Sequence, residues 1–524
     1  MSDKRRRIDF VLVLAILIVS LYVIYWIGNE FYLYRNFISI HPDLGYLVQT
    51  TYVHLSHPAL IYGLQYLVFS NHVSIFSVFL LPIFALVPNP ITLIAIQDVF
   101  LGLTALLLYL CGRDMVDSRL FGFMLVIAFL FNPGVRGMIA FDFHTEAFIP
   151  FFFVLSFYLY MKNKMNYFVA SFALMLSTIE VSWPAGVALV MGLLYYEFRY
   201  KSKSKVKEEQ SLHKKRVKYL LGCIAVIFLF VLFYNYTIST LTSQYKQGLY
   251  GDMPPPLQVT NYYSIDIWNS ASLALIAISN TATVRFVSLI GILLLLFGFG
   301  FTSLVDPILT ITMILPWIIQ VPILHNAPFG VFDNQYYGFT VGGSAITSVL
   351  GMKILLNRKN GFFARHKDKF ILFTTVFVII SSFLIYLATF PASLPITPLI
   401  TSNSNYPNYT QISTALDKIP QNATVMTQPN ILPHLYYVLE IEFVPGFRGI
   451  TFAPYNRIAY TNISFYWFRP DYIVIQPQSG WFDYMFNSSS FNVYKYMGDN
   501  YTLYSNTSGL EIYKLKSYQN LSVS

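Results

Sequence analysis

The sequence predicts an α-helical polytopic membrane protein of about eleven transmembrane helices, closed by a small C-terminal extracytoplasmic α/β domain. Three observations predict it. Hydrophobic residues make up 55% of the chain and charged ones only 11%, well below the roughly 25% charged of a soluble domain, and mean hydropathy is +0.54. Apolar runs long enough to cross ~30 Å of hydrocarbon recur down to residue 390. After Pro391 the composition turns polar and rich in Asn, Ser and Tyr.

The first run, 8–27, follows the basic stretch MSDKRRR and is not followed by a small-residue cleavage site. It therefore reads as an uncleaved first helix with its N-terminus in the cytoplasm. An outer loop, 28–90, comes next. It carries a shorter apolar piece, 73–87, read as a helix lying at the outer interface, because counting it as a span would put Arg113 and Arg119 outside. Spans then follow over 91–111, 120–139, 146–161, 166–179, 182–198, 219–238, 285–303, 306–324, 340–356 and 370–390. This order leaves the C-terminus outside.

Charge placement supports the order. Twenty-two of the 34 Lys and Arg fall in the short inside segments 1–7, 112–120, 162–165, 199–218 and 357–369, as the positive-inside rule requires. The formal charge of +9 thus orients the chain in a bilayer, and a nucleic-acid partner is excluded as its explanation. All eight N-glycosylation sequons, at Asn235, Asn408, Asn422, Asn462, Asn487, Asn500, Asn506 and Asn520, fall on the expected outside. Cys111 and Cys223 sit in apolar runs near inner helix ends, which argues against a disulfide. The expected localisation is the cell membrane, with multiple passes.

Residues 1–390 are expected to form the transmembrane domain, outer loop included, and 391–524 the extracytoplasmic domain. In the latter, ISTALDKIPQNATVMTQ reads as a helix, a Pro turn and a strand, and PDYIVIQP as a buried strand. FNVYKYMGDNYTLYSN and GLEIYKL read as strands that close the sheet.

Ionisable residues in so apolar a chain are costly to bury and mark functional sites by default. The densest group is FNPGVRGMIAFDFHTEAF, residues 131–148, with Arg136, Asp142, His144 and Glu146. On an extended strand Asp142, His144 and Glu146 share one face and suit a divalent metal ion or a proton relay; on a helix only Asp142 and Glu146 remain neighbours. A polar helix mouth bonded to nearby backbone fits the same residues. Asp43, in ISIHPDLGY of the outer loop, is a carboxylate held at a membrane surface and can serve as a general base; His72 lies later in that loop. The segment 166–179 spans only about 21 Å as a helix, so Glu180 should sit at a short hairpin apex below the outer surface. Arg136 and Arg285, at outer helix mouths, have the guanidinium geometry to hold a lipid phosphate. Asp98, beside Gln97 inside a span, must face protein or water.

HPDLGYLVQ, NHVSIFSVFLLPIFALVPNPITLIAIQ, FNPGVRGMIAFDFHTEAF, STIEVSWPAG and IPQNATVMTQPNILPHL together resemble the prokaryotic membrane family catalogued as domain of unknown function 2079. That family is in turn similar to the clan C (GT-C) glycosyltransferases, polytopic enzymes that use lipid-phosphate-linked sugars. The resemblance implies a GT-C-like fold with Asp43 as catalytic base and Glu180 as a catalytic cavity residue. It also implies Asp142, His144 and Glu146 as metal or acceptor-site residues. Gln335 and Tyr336 stand where relatives carry His-Tyr before a late span, and with His72, Arg136 and Arg285 they are expected at the substrate. Where relatives carry Lys-Glu-Asp at the hairpin apex, this chain has Ile179-Glu180-Val181.

The function expected on this basis is transfer of a sugar from a polyprenyl-phosphate carrier to an acceptor on the outer face. Its partners would be a lipid-linked sugar donor and membrane lipid. Two other classes compete: a transporter or channel with Asp98, Asp142 and Glu180 along a polar path, and a non-catalytic scaffold that displays the tail domain. Broken helices in both halves would mark a transporter, whereas the acidic residues here concentrate in the first half.

Overall fold

The computed structural model describes residues 9–37, 43–56, 74–201, 206–246, 298–318, 335–358, 361–388, 409–428, 430–438, 440–443, 470–479 and 492–516. The chain divides into two compact units, one made of Met1–Ile27, Ala95–Leu232 and Asp266–Pro395, the other of Gly28–Ile94, Phe233–Ile265 and Ile396–Ser524. The segment expected as an outer loop of the transmembrane domain is thus grouped with the tail.

Six helices among the described residues are long and apolar enough to cross a membrane: Phe10–Arg35, Pro90–Met115, Glu180–Lys201, Lys207–Tyr236, Gly338–Leu356 and Lys367–Leu387. A seventh span exists if Arg119–Leu130 and Pro133–Ile139, bent by 55°, count as one. Among the described residues the expected eleven are not all seen. The runs 146–161 and 166–179 fold as the shorter apolar helices Thr145–Met161 and Met165–Ser177. The run 306–324 breaks into Pro307–Met313 and Leu315–Ile318, with Pro316 just past the break, where its missing N–H is least costly. The run 285–303 lies largely outside the described residues.

Ion pairs gather several basic residues of the first unit at one end of its helices. Asp114 holds Arg113 and Lys162, each at 2.6 Å, and Asp9 holds Arg119 at 3.3 Å. Glu197 takes Arg216 at 3.1 Å, and Lys367 reaches Asp117 at 3.4 Å. These contacts tie the start of Phe10–Arg35 to the start of Arg119–Leu130, the end of Pro90–Met115 to the end of Ile149–Met161, the end of Trp183–Tyr196 to helix Lys207–Lys246, and the start of Lys367–Ala388 to the turn before Arg119. Successive helices therefore alternate in direction, as the charge count predicts. Cys111 and Cys223 are free thiols, both buried.

Helix Gly338–Leu356 is buried along most of its length. It is built of small residues, which let backbones approach where no hydrophobic effect drives helices together. Gly342 packs on Phe153, and Ser348 shares a hydroxyl hydrogen bond with Thr302 at 2.8 Å and donates to the carbonyl of Phe299 at 2.7 Å.

The second unit is built on a five-stranded sheet, β1 (Thr424–Thr427), β2 (Glu440–Phe443), β3 (Tyr472–Ile475), β4 (Tyr501–Thr507) and β5 (Leu510–Leu515), in the order β2-β1-β3-β5-β4. β2 and β3 flank β1 in parallel; β5 runs antiparallel to β3 and forms a hairpin with β4. Helix Tyr409–Leu416 precedes β1 as expected. FNVYKYM differs: it forms the short helix Val493–Met497, because Asn492 caps it by accepting from the backbone N–H of Lys495 at 2.9 Å. β2 has no counterpart in the sequence reading.

This unit also incorporates the start of the outer segment. Phe37 joins the apolar core of the sheet and stacks on His434, which also stacks on Tyr34, with ring centroids 4.0 and 4.1 Å away. Helix Asp43–Ser56 docks beside it. Gln49 donates to the carbonyl of Val438 at 2.7 Å, and Gly45 comes so close to Leu432 that a Cβ there would lie 2.5 Å from the leucine side chain. The piece expected at the interface forms a 3₁₀ turn, Ile75–Leu80, and a helix, Leu81–Leu86, with Phe79, Ile83, Leu86 and Val87 exposed.

Candidate functional site

The first unit's site is set by a break in a span. Helix Arg119–Leu130 ends at Phe131, and Asn132 restarts the chain by accepting from Gly134 N–H at 2.9 Å, with Pro133 in the first turn. The restarted piece, Pro133–Ile139, is buried at every residue. It carries Arg136 inward, so this arginine is 0% exposed. Its Nη1 donates to the carbonyl of Tyr386 at 3.1 Å, and its guanidinium lies 5.2 Å from the Tyr386 ring centroid. The expectation of an open helix mouth at Arg136 is overturned by the 55° bend, which tucks the residue against helix Lys367–Ala388.

Beyond this piece the chain makes the turn that bears Asp142, His144 and Glu146. Asp142 has φ 64°, the left-handed region that costs most side chains about 1 kcal/mol or more. His144 is extended, and Glu146 lies in the 3₁₀ turn Thr145–Phe148. Neither expected geometry forms: the positive φ breaks a strand at Asp142, and the segment is too short for an α-helix to pair Asp142 with Glu146. All three side chains are buried. Among the described residues no three His, Cys, Asp or Glu side chains gather closely enough to hold a metal ion, this trio included.

Gln97 holds the turn in place. Its side-chain amide donates to the carbonyls of Met138 at 3.2 Å and Asp142 at 3.0 Å, and its oxygen accepts from His144 N–H at 2.7 Å. Gln97 is fully buried on helix Pro90–Met115, and so is Asp98 next to it. Arg136 is buried in the same unit. The sequence signal for Gln97 was the polar pair within an apolar run; its partners lie more than forty residues away and are invisible there.

The late span closes on the turn through two glycines. At Gly134 a Cβ would lie 2.7 Å from Cβ of Tyr337, and at Gly338 a Cβ would lie 2.7 Å from the carbonyl oxygen of Glu146. The 3₁₀ turn Gln335–Tyr337 is therefore brought against the Arg136 and Glu146 segments. Tyr336 is half-buried and Tyr337 wholly buried; only the backbone of Gln335 is described.

Glu180 occupies the expected apex. Helix Met165–Ser177 ends, the turn Glu180–Ser182 follows, and helix Trp183–Tyr196 begins with Pro184 in its first turn. Ser182 Oγ ties the apex by donating to the carbonyl of Leu176 at 2.8 Å, and Glu180 is buried. In the second unit, Asp43 is the first residue of its helix, and its side chain lies outside the described residues. His72 and Arg285 also lie outside them.

The fold and this cluster define a polytopic membrane protein that buries charged side chains at a broken span and carries an α/β module. The chain belongs to the DUF2079 family of predicted membrane proteins, whose model matches residues 44–512. Among curated proteins none matches the chain.

Proposed function

We propose that the protein is a membrane glycosyltransferase of GT-C type that transfers a sugar from a polyprenyl-phosphate carrier to an acceptor hydroxyl outside the cytoplasm. The observation that carries this reading is the placement of Asp43. It opens a helix that Gln49 and Gly45 fasten to the α/β unit, so its backbone is tied to the module that would recognise an acceptor. In the reaction Asp43 takes the proton of the acceptor hydroxyl as its oxygen attacks the anomeric carbon. The bond from that carbon to the phosphate oxygen breaks, and the polyprenyl phosphate leaves with the electron pair. Arg285 is the candidate for stabilising the leaving phosphate. Arg136, wholly buried against Tyr386, is assigned a positioning role instead. Buried ionisable groups in an apolar unit, here Asp142, His144, Glu146 and Glu180, mark function by their cost.

The test is release of sugar from a polyprenyl-phosphate-linked donor by the purified full-length protein. Asp43→Asn should lower the rate by roughly a hundredfold or more while donor binding persists. An unchanged rate would sink the mechanism. A transporter is the second reading, favoured by Asp98, fully buried within a span. It requires Asp98→Asn to abolish solute or proton flux into proteoliposomes.

A further inference from the structure

In the second unit the sheet changes winding direction between β1 and β3. From β1 the chain goes on to β2 on one side, while from β3, the other parallel neighbour of β1, it goes on to β4 and β5 on the opposite side. Open α/β sheets bind ligands beyond the carboxyl ends of two such strands, where the departing chains leave the edge uncovered. Thr427 and Val474 are in register, so the residues that follow the two strands, Gln428 and Gln476, meet at that edge.

The edge is built of neutral amides. Gln428, wholly buried, accepts from the N–H of Gln476 at 2.7 Å and so fixes its backbone. Asn430, also buried, donates through Nδ2 to the carbonyl of Phe37 at 3.2 Å and to Oε1 of Gln476 at 2.8 Å. A carbonyl can only accept, so the bond to Phe37 identifies the nitrogen of Asn430, and Gln476 must then turn its oxygen toward it. Nε2 of half-buried Gln476 is left as a donor, and Oδ1 of Asn430 accepts no hydrogen bond among the described residues. The N–H of Ser479 closes the next turn on the carbonyl of Gln476 at 3.0 Å, with Gln478 exposed. Gln478 in turn borders the β4–β5 turn, where a Cβ on Gly509 would lie 3.8 Å from its Oε1.

Charge is missing from the segments that form this edge. Residues 427–435, 475–480 and 506–510 contain no Lys, Arg, Asp or Glu, and burial holds His434 neutral by pushing its imidazole down to about 3. Glu511, in register with Ile475, is engaged by the hydroxyls of Tyr494 at 3.3 Å and Tyr513 at 2.8 Å. Such an edge has nothing to neutralise a phosphate or a carboxylate. It matches a ligand whose groups donate and accept at once, as hydroxyls do.

We propose that the carboxyl edge of β1 and β3, centred on Gln476 and Asn430 with Gln478 at its rim, binds a neutral glycan. One sugar hydroxyl accepts from Nε2 of Gln476 while donating to Oδ1 of Asn430, and Gln478 takes a neighbouring hydroxyl. The glycan's place in a reaction rests on the transferase reading above, in which it would be the acceptor. Asn430 links the two, because it holds the carbonyl of Phe37, a residue with a left-handed φ of 58° that lies six residues before Asp43.

The experiment titrates the full-length protein in phosphatidylcholine nanodiscs with neutral oligosaccharides of glucose, mannose, galactose and N-acetylglucosamine, read by calorimetry and saturation-transfer NMR. At least one should bind the wild type, and glucose 6-phosphate should gain nothing over glucose. Gln476→Ala should weaken the binding roughly threefold to tenfold, the worth of a neutral hydrogen bond. Thr502→Ala, exposed at the opposite edge of the sheet, should bind as the wild type does. If Gln476→Ala fails to fold, exposed Gln478→Ala supplies the same readout. Absence of binding to all of these glycans, equal binding by wild type and variant, or tighter binding of the uncharged peptide Gly-Asn-Ser-Gly overturns the proposal. Glycan binding that the variant weakens, in a protein that releases no sugar from a polyprenyl-phosphate donor, upholds this site and sinks the transferase reading. Sugar release without glycan binding does the reverse.

Discussion

Gln97 and Asp142 are locked together across forty-five residues of chain, the glutamine amide donating to the aspartate carbonyl at 3.0 Å while Asp142 itself holds a φ of 64°. The same glutamine accepts from His144 N–H at 2.7 Å. One buried side chain therefore brackets a strained turn from both sides, and the strain persists because these bonds over-determine it.

Replacement of Gln97 by Ala should remove three buried hydrogen bonds, at about 0.5–1.5 kcal/mol each. Thermal melting of the detergent-solubilised protein should show the loss. Asp142→Gly, by contrast, relieves the left-handed backbone and should stabilise by about 1 kcal/mol while lowering activity. Unchanged activity in Asp142→Gly would remove Asp142 from the functional residues.

Gly134→Ala and Gly338→Ala each drive a methyl into a contact of 2.7 Å, and overpacking of this kind costs about 1–3 kcal/mol. Gly222 meets nothing within 4 Å on its helix, so Gly222→Ala should be neutral or stabilising by up to about 1 kcal/mol. Melting temperatures of the three variants should separate into these two groups.

Gly45→Val would push helix Asp43–Ser56 off Leu432 without touching the carboxylate of Asp43. Under the proposed mechanism it should depress sugar release as Asp43→Asn does. Faster limited proteolysis within residues 43–56 would report the undocking directly.

Burial between Tyr34 and Phe37 pushes the imidazole of His434 down from its ordinary 6.5 to about 3. The unfolded chain therefore binds a proton more readily than the folded one between these values. The stability this neutral ring contributes is fully present above about pH 6.5 and is lost as pH falls toward 3, by up to about 1.4 kcal/mol per pH unit. Melting of the full-length protein followed from pH 7 to pH 4 should show this slope, and His434→Phe should flatten it.

Element types were legible wherever periodicity or punctuation was strong. The hairpin apex at Glu180, the helix and strand around Pro420, and β3 as a wholly buried strand all form where the sequence placed them. FNVYKYM was misread as a strand, because its aromatic content favours strands while the Asn492 cap decides for a helix. Six of the expected spans, or seven with the bent pair, form helices long and apolar enough to cross a membrane among the described residues; an apolar run shows only that a segment shuns water and not that it crosses the bilayer unbroken.

The sequence by itself determined that the chain lives in a membrane and that its basic residues collect at one end. It also determined that a polar α/β region follows the helices. These are properties of composition and period, summed over many residues, and no long-range contact is needed to set them. Only the tertiary structure decided that Arg136 is buried against Tyr386 rather than open to substrate, and that Gln97 grips the Asp142 turn. It alone decided that the helix beginning at Asp43 belongs with the tail sheet. Each of these rests on one or two hydrogen bonds or close contacts between residues distant in the chain, and local sequence carries no trace of which partner a buried polar group will find.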